Sequence, residues 1–262
     1  MKKLLLASLA LIPCFTGCSP IPTNDTPGSS GRAAFAYTGE SLFGTPIDRP
    51  MMPGASTTIA VRPVGALPPV TARSSDPSVL TVTGSSRSCI TSVVTRTPMS
   101  VSESSTSITL ALDQSCPAGT SEVGTLTVDA VAPGTATLIL TLADGSVFDS
   151  VPVAVAPPAR LAIRCGSDSE ADPLRVPVGG TCRLEPTVFD ASGAALLGGY
   201  VSVSLDDPSI AEMSTLLSPH VSSIGIESHE FFGTNLVGLV AGDTRAVVSL
   251  GSLKIIVPVQ VR

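Results

Sequence analysis

The chain repeats itself, and the repeat limits what it can fold into more than any other feature. Ser75-Asp76-Pro77-Ser78-Val79 returns as Asp206-Asp207-Pro208-Ser209-Ile210, and GTLTVDAVAPGTATLILTL (124–142) returns as GTNLVGLVAGDTRAVVSL (233–250). Both copies close on Val-Pro-Val-x-Val, at 151–155 and 257–261, and GRAAFAY (31–37) agrees loosely with ARLAIRC (159–165). Two copies of one supersecondary plan imply two similar packing units in series. The copies differ in one span: Pro77 to Ala132 is 55 residues and Pro208 to Ala241 is 33, an insertion of 22 in the first copy.

Each copy reads as short strands. In 135–142 a period-two face of Leu138, Leu140 and Leu142 precedes Asp144-Gly145, and 147–155 runs back, which is a hairpin signal. The second copy does the same with 246–250, the turn Gly251-Ser252 and 253–261. Asp-Pro-Ser suits a turn because proline fixes φ while aspartate bonds the backbone two residues on. Pro152 and Pro258 donate nothing to a ladder and so predict edge strands or bulges. No stretch of twelve residues beyond the N-terminal run keeps a helical apolar period free of Pro and Gly, and the chain carries 23 of each. The expected class is all-β, with several short strands per copy forming a β-sandwich.

SSDPSVLTV followed by GTLTVDAVAPGTATLIL resembles the bacterial Ig-like domain, group 2, found in intimin- and invasin-like adhesins and in surface lipoproteins. The resemblance covers residues 32–156 and, more weakly, 157–262, and it implies two tandem Ig-like β-sandwich domains acting as spacers or adhesive modules. The family's tryptophan before the Asp/Asn-Pro turn is replaced by Ala72 and Val203 in a chain with no Trp, so the core is filled differently.

Met1-Lys2-Lys3 precedes the apolar run 4–12, broken by Pro13 and Gly17, which is the plan of a signal peptide over residues 1–17. Phe15-Thr16-Gly17-Cys18 resembles a lipobox, in which the cysteine receives diacylglycerol and becomes the new N-terminus. That resemblance implies lipidation and palmitate at Cys18, and Ser19 after it implies sorting to the outer membrane. The alternative is an ordinary secretory signal cut nearby. Residues 18–31, rich in Pro, Ser, Thr and Gly, are expected to be a flexible tether.

With Cys14 removed and Cys18 modified, four cysteines remain, two per copy, and a secreted chain normally pairs them. Three connectivities are open. Cys89 with Cys116 and Cys165 with Cys182 is favoured, because it needs no contact between copies. The first pair would close the Ser/Thr-rich insertion, whose apolar runs 90–94 and 108–112 predict an extra hairpin.

After residue 17 the chain holds 13 Lys and Arg against 21 Asp and Glu, so nucleic acid is not an expected partner. Lys254 is the only lysine left, so no polybasic patch holds a membrane by charge. His220 and His229 are the only histidines; His229-Glu230 lacks the second histidine of a zinc-peptidase helix, and no GxSxG, SxxK, P-loop or GxGxxG occurs. Asp168, Glu170 and Asp172 alternate as in an EF-hand loop, but Pro173 and Gly179 stand where that loop needs Gly and a carboxylate. Of the few aromatic residues, Phe231-Phe232 would place one ring outward if in a strand.

The expectation is therefore a protein that is no enzyme and takes no cofactor or metal. It would be lipid-anchored in the outer membrane and serve as a structural spacer or adhesive module toward another protein or a surface polymer. An interaction subunit of a periplasmic or secretion assembly is the alternative, and a hydrolase a remote one.

Overall fold

The computed structural model describes residues 25–38, 45–90, 107–110, 121–166, 173–199, 201–215 and 234–262. The calls on Cys18, Cys116, His220, His229, Asp168, Glu170, Asp172, Phe231 and Phe232, and on the signal peptide, lie outside them. The described residues are all-β. The first ten strands are β1 (Thr26–Pro27), β2 (Ala33–Thr38), β3 (Thr45–Pro46), β4 (Ser56–Pro63), β5 (Val70–Ser74), β6 (Leu80–Ile90), β7 (Ser107–Leu110), β8 (Ser121–Ala130), β9 (Gly134–Leu142) and β10 (Val147–Val155). The remaining eight are β11 (Arg160–Cys165), β12 (Leu174–Val176), β13 (Thr181–Phe189), β14 (Ser202–Leu205), β15 (Ala211–Thr215), β16 (Thr234–Gly238), β17 (Gly242–Leu250) and β18 (Leu253–Val261).

They form four sheets. Two are ordered β1-β2-β4-β8-β6, with β3 on β2, and β10-β9-β5-β7; two are ordered β11-β13-β16-β15 and β12-β18-β17-β14. Along the chain, β2-β4-β8-β6 against β10-β9-β5 is the four-plus-three strand order of an Ig-like sandwich, and β11-β13-β16-β15 against β18-β17-β14 repeats it. Each pair of sheets encloses its own cluster of buried side chains. Ala72 is fully buried and Val203 partly so, and volume in the first core comes from Phe35, Tyr37, Met51 and Phe148.

Local chemistry explains the turns. Asp76 Oδ1 accepts from the Ser78 N–H and hydroxyl, Asp207 Oδ1 from those of Ser209, and Asp144 Oδ1 from those of Ser146. Gly145 and Gly251 take positive φ in the two hairpin turns, and the hairpins form as the alternation predicts. Pro152 sits on an edge strand, β10. Pro258 does not: β18 is an inner strand, and the proline is tolerated because β12 pairs only with Val259, Gln260 and Val261 beyond it. Hydrogen bonding also refines the repeat. Gly54 donates to Ala130 O and Val131 to Val79 O in the first copy, while Gly179 donates to Gly238 O and Leu239 to Ile210 O in the second. Ala130 thus corresponds to Gly238, one residue out of step with the Val-Ala match.

The expected tether over 18–31 is corrected for its described part. Thr26 and Pro27 pair with Phe35 and Ala34, Asp25 bridges Arg62, and the turn that follows is gripped by Asp149. A bulge between Val147 and Asp149 turns two successive residues, Phe148 and Asp149, inward. The buried carboxylate then accepts four backbone N–H groups: Ser30 and Ser150 on Oδ1 at 2.8 Å each, Arg32 at 2.8 Å and Ala33 at 2.7 Å on Oδ2. Gly28 lies so close that a Cβ there would overlap the carboxylate. Polar composition suggested disorder, but a charge more than a hundred residues away satisfies this segment's backbone.

The two sandwiches meet in a hydrogen-bonded seam. Met51 donates to Ala154 O and accepts from Ala156 N–H on one side; on the other, Met52 donates to Leu197 O and Leu197 to Pro50 O, at 2.8–2.9 Å. Residues 50–52 are thus parallel-paired to the last strand of the first sandwich and to a loop of the second. Leu197 belongs to the first core, and Met52 packs against both. Arg49 donates to Leu196 O at 2.7 Å and Ala195 O at 3.3 Å. Gly198, at φ 81°, has room for no side chain: its Cβ would lie 2.5 Å from that of Ala55.

Two substitutions test these joints. Asp149→Ala removes the acceptor of one buried and three part-buried N–H groups and is expected to lower the stability of the first sandwich by about 3 kcal/mol in urea denaturation. Gly198→Val combines a strained φ with overlap at Ala55 and is expected to cost about 2 kcal/mol or more in the same assay, while Gly193→Val, in open space, costs only its φ strain.

Candidate functional site

The sequence directs attention to the cysteines and the insertion. Cys165 and Cys182 are disulfide-bonded, with Cα atoms 5.4 Å apart, tying the end of β11 to the start of β13. In the chain-entropy account a loop of this length stabilises by about 3 kcal/mol. Cys89 is placed by its backbone alone, opposite Glu122 in the β6–β8 pairing, and its expected bond to Cys116 lies outside the described residues.

The insertion does not read as an independent hairpin among the described residues. Ile90, the first residue of the run 90–94, ends β6, whereas β7, Ser107–Leu110, carries the start of the run 108–112 into the opposite sheet; the rest of both runs lies outside the described residues. There Val70 stands opposite Leu110, Thr71 opposite Thr109, Ala72 opposite Ile108 and Arg73 opposite Ser107. The insertion thus leaves one sheet, fills the free edge of β5 in the other, and returns. At its base β6 and β8 pair over ten described positions.

An ion pair fastens that base. Arg87 and Glu122, both buried, bridge across β6 and β8. Glu122 accepts the Leu67 N–H at 2.8 Å and Arg87 donates to Leu67 O, so the loop before β5 is clipped to the ribbon at both polar atoms of one residue. Such a pair holds register because losing either partner strands a buried charge. Neither this clip, nor Asp149, nor the seam was singled out from sequence; the only local hint was the pair Pro157-Pro158 beside the seam.

Among the described residues, the second sandwich repeats the arrangement without the added strand. Val201, Val203 and Leu205 occupy the positions of Val70, Ala72 and Ser74, since Val203 faces Val248 as Ala72 faces Leu140. Val70, Ala72 and Ser74 are buried; Val201, Val203 and Leu205 are only partly covered. β14 ends its sheet, and among the described residues no strand pairs with its outer edge.

Electrostatics outside these joints is a matter of exposed turns and paired surface charges. Hydrogen bonds from Ser78, Ser146, Ser192 and Ser209 hold the carboxyls of Asp76, Asp144, Asp190 and Asp207 below their ordinary 3.8. Burial pushes that of Asp25 up despite Arg62. Arg160 stacks over the Phe189 ring at 4.1 Å, and Arg245 and Arg262 pair with Asp206 and Asp243. Among the described residues no group of three or more His, Cys, Asp or Glu side chains is placed to hold a metal ion.

No protein-family model matches the chain, and no curated protein is similar to it at a significant level. Solved structures with similar strand arrangement include domains 4 and 5 of the S-layer protein SbsC, at 22% identity over 51% of this chain and 68% of that one, with a TM-score of 0.29. A longer SbsC structure shares 17% identity over 88% of this chain and 25% of its own length, with a TM-score of 0.31. FdeC, an adhesin of Escherichia coli, shares 14% identity over 87% of this chain and 63% of that one, with a TM-score of 0.30. The Ig-like assignment stands on the strand order above.

The four lowered aspartates fix a pH dependence. A carboxyl with a depressed folded pKa adds stability that is complete above its unfolded value and is lost as pH falls through the folded one. The urea midpoint is expected to fall as pH drops below the ordinary carboxyl value of 3.8, and replacing all four by Asn flattens that decline. Asp25, shifted the other way, works against the trend.

Proposed function

We propose that the chain is a non-catalytic, lipid-anchored protein of the outer membrane, its two Ig-like sandwiches serving as a spacer or adhesive module. The observation that carries this reading is Phe15-Thr16-Gly17-Cys18, its cysteine seven positions before Asp25, which already bridges Arg62 of the first sandwich. Seven residues span at most about 25 Å. An acylated Cys18 would therefore hold the first sandwich against the bilayer, and reach would come from the sandwiches themselves. Several acyl chains are needed for stable anchoring, because one gives only marginal binding. The partner in this reading is another protein or a surface polymer, met by loops or sheet edges. Support for the absence of catalysis comes from the sequence, which has two histidines and none of the nucleophile or phosphate-binding motifs.

Palmitate labelling tests the anchor. The intact protein should be labelled and sediment with membranes, and Cys18→Ser should be unlabelled and released; label persisting in that variant, or none in the parent, overturns it. The alternative, a subunit of a periplasmic or secretion assembly, is separated by protease added to intact cells. An adhesin is shaved and a periplasmic subunit is spared.

A further inference from the structure

Two neighbouring residues of one loop enter different cores. Leu196, between β13 and β14, is 2% exposed and belongs to the second core, whereas Leu197 is 1% exposed and belongs to the first. Extended backbone turns successive side chains to opposite sides, so Leu196-Leu197 staples the two cores through a single peptide unit. The exchange runs both ways. Met52 and Ala156, from the first half of the chain, pack against the second core, and Met52 packs against its own as well.

Backbone bonds fix the staple on each side. Leu196 donates to Val188 O at 2.8 Å within the second sandwich, while Leu197 donates to Pro50 O at 2.8 Å and accepts the Met52 N–H at 2.9 Å across the seam. Leu197 leaves the first core only if both seam bonds break, and the loop presents it there only while Leu196 is seated in the second. Units of one chain that share few contacts move and open separately. Here the first core contains a side chain that the folded second sandwich holds in place.

We propose that the two sandwiches open as one cooperative unit, the loss of either core being passed to the other through Leu196-Leu197 and residues 50–52. A spacer coupled in this way stays whole or unfolds whole. The second copy supplies the means of uncoupling it. Met51 pairs with Val155 as Val176 pairs with Val261, so Met52 matches Pro177, which has no N–H to give. The fold thus accommodates proline at this place, and Met52→Pro removes a seam bond at a position where the strand tolerates it.

Hydrogen exchange, read amide by amide on the full chain, tests the coupling. Leu174 is fully buried in the second core and stands opposite Val259, at the far end of the β17–β18 hairpin from Leu250, the neighbour of Gly199 in the seam loop. Leu174→Ala should speed the slowest amides of the second core by about thirtyfold or more, and those of Phe35, Leu126 and Leu138 in the first core by the same factor. Met52→Pro should confine the effect to the second core, whereas Met52→Leu, which keeps the N–H, should not. Gly198→Val, which wedges the seam at Ala55, gives the same comparison by a second route. The proposal is overturned if Leu174→Ala leaves the first core unchanged in the otherwise native chain, because the sandwiches then open separately. It is equally overturned if the first core still follows the second in both Met52→Pro and Gly198→Val, because the coupling then does not pass through the seam. Neither result bears on palmitate labelling, so anchor and coupling stand or fall separately.

Discussion

Residues 50–52 hold the molecule together. A single extended segment is parallel-paired on one side to the last strand of the first sandwich and on the other to the loop at Leu197 of the second. Backbone bonds of this kind leave little freedom to hinge, because rotation at the seam would break them and expose Leu197, which is buried in the first core. The two-proline linker, the Arg49 clamp and the close fit of Gly198 on Ala55 act in the same sense. The sequence left the relation between the two copies open, and these contacts tie them at one seam.

The repeat is informative for what its copies do not share. The parallel contact of Met51 with Val155 corresponds to that of Val176 with Val261, yet Met52, whose N–H reaches across the seam, corresponds to Pro177, which has none. The seam is therefore not repeated at the far end by the same bond. Likewise β7 closes an edge in the first copy where, among the described residues, nothing pairs at β14, and Asp149 grips an N-terminal turn in the first copy where the second has Ile255. Each difference is a single residue or an insertion acting on a common frame.

Much of the frame was legible. The alternation in 135–142, the Asp-Gly and Gly-Ser turns and the two Asp-Pro-Ser turns are local patterns with local causes, and the hairpins formed where they pointed. The Asp149 clip was not legible, because nothing near Asp149 announces that residues 30–33 will need acceptors. The place of β7 was not legible for a related reason: nothing in Ile108-Thr109-Leu110 says that it will pair with β5, and most of the run 90–94 lies outside the described residues. Pro258 showed that a proline needs only a missing neighbour at its own position, not an edge strand along its whole length.

By itself the sequence determined the class, the repeat and the turns, since side-chain alternation and the φ preferences of Gly, Pro and Asp act over two to four residues. The lipobox-like motif at Cys18 is likewise a property of the linear chain alone. Only the tertiary structure decided that Thr26 and Pro27 join the first sandwich and which edge the insertion fills, whereas Cys165–Cys182 is the pairing the sequence favoured. It also decided that two units share one seam. These are pairings between residues tens to more than a hundred positions apart, and a backbone N–H or C=O carries no mark in the sequence of the partner it will find.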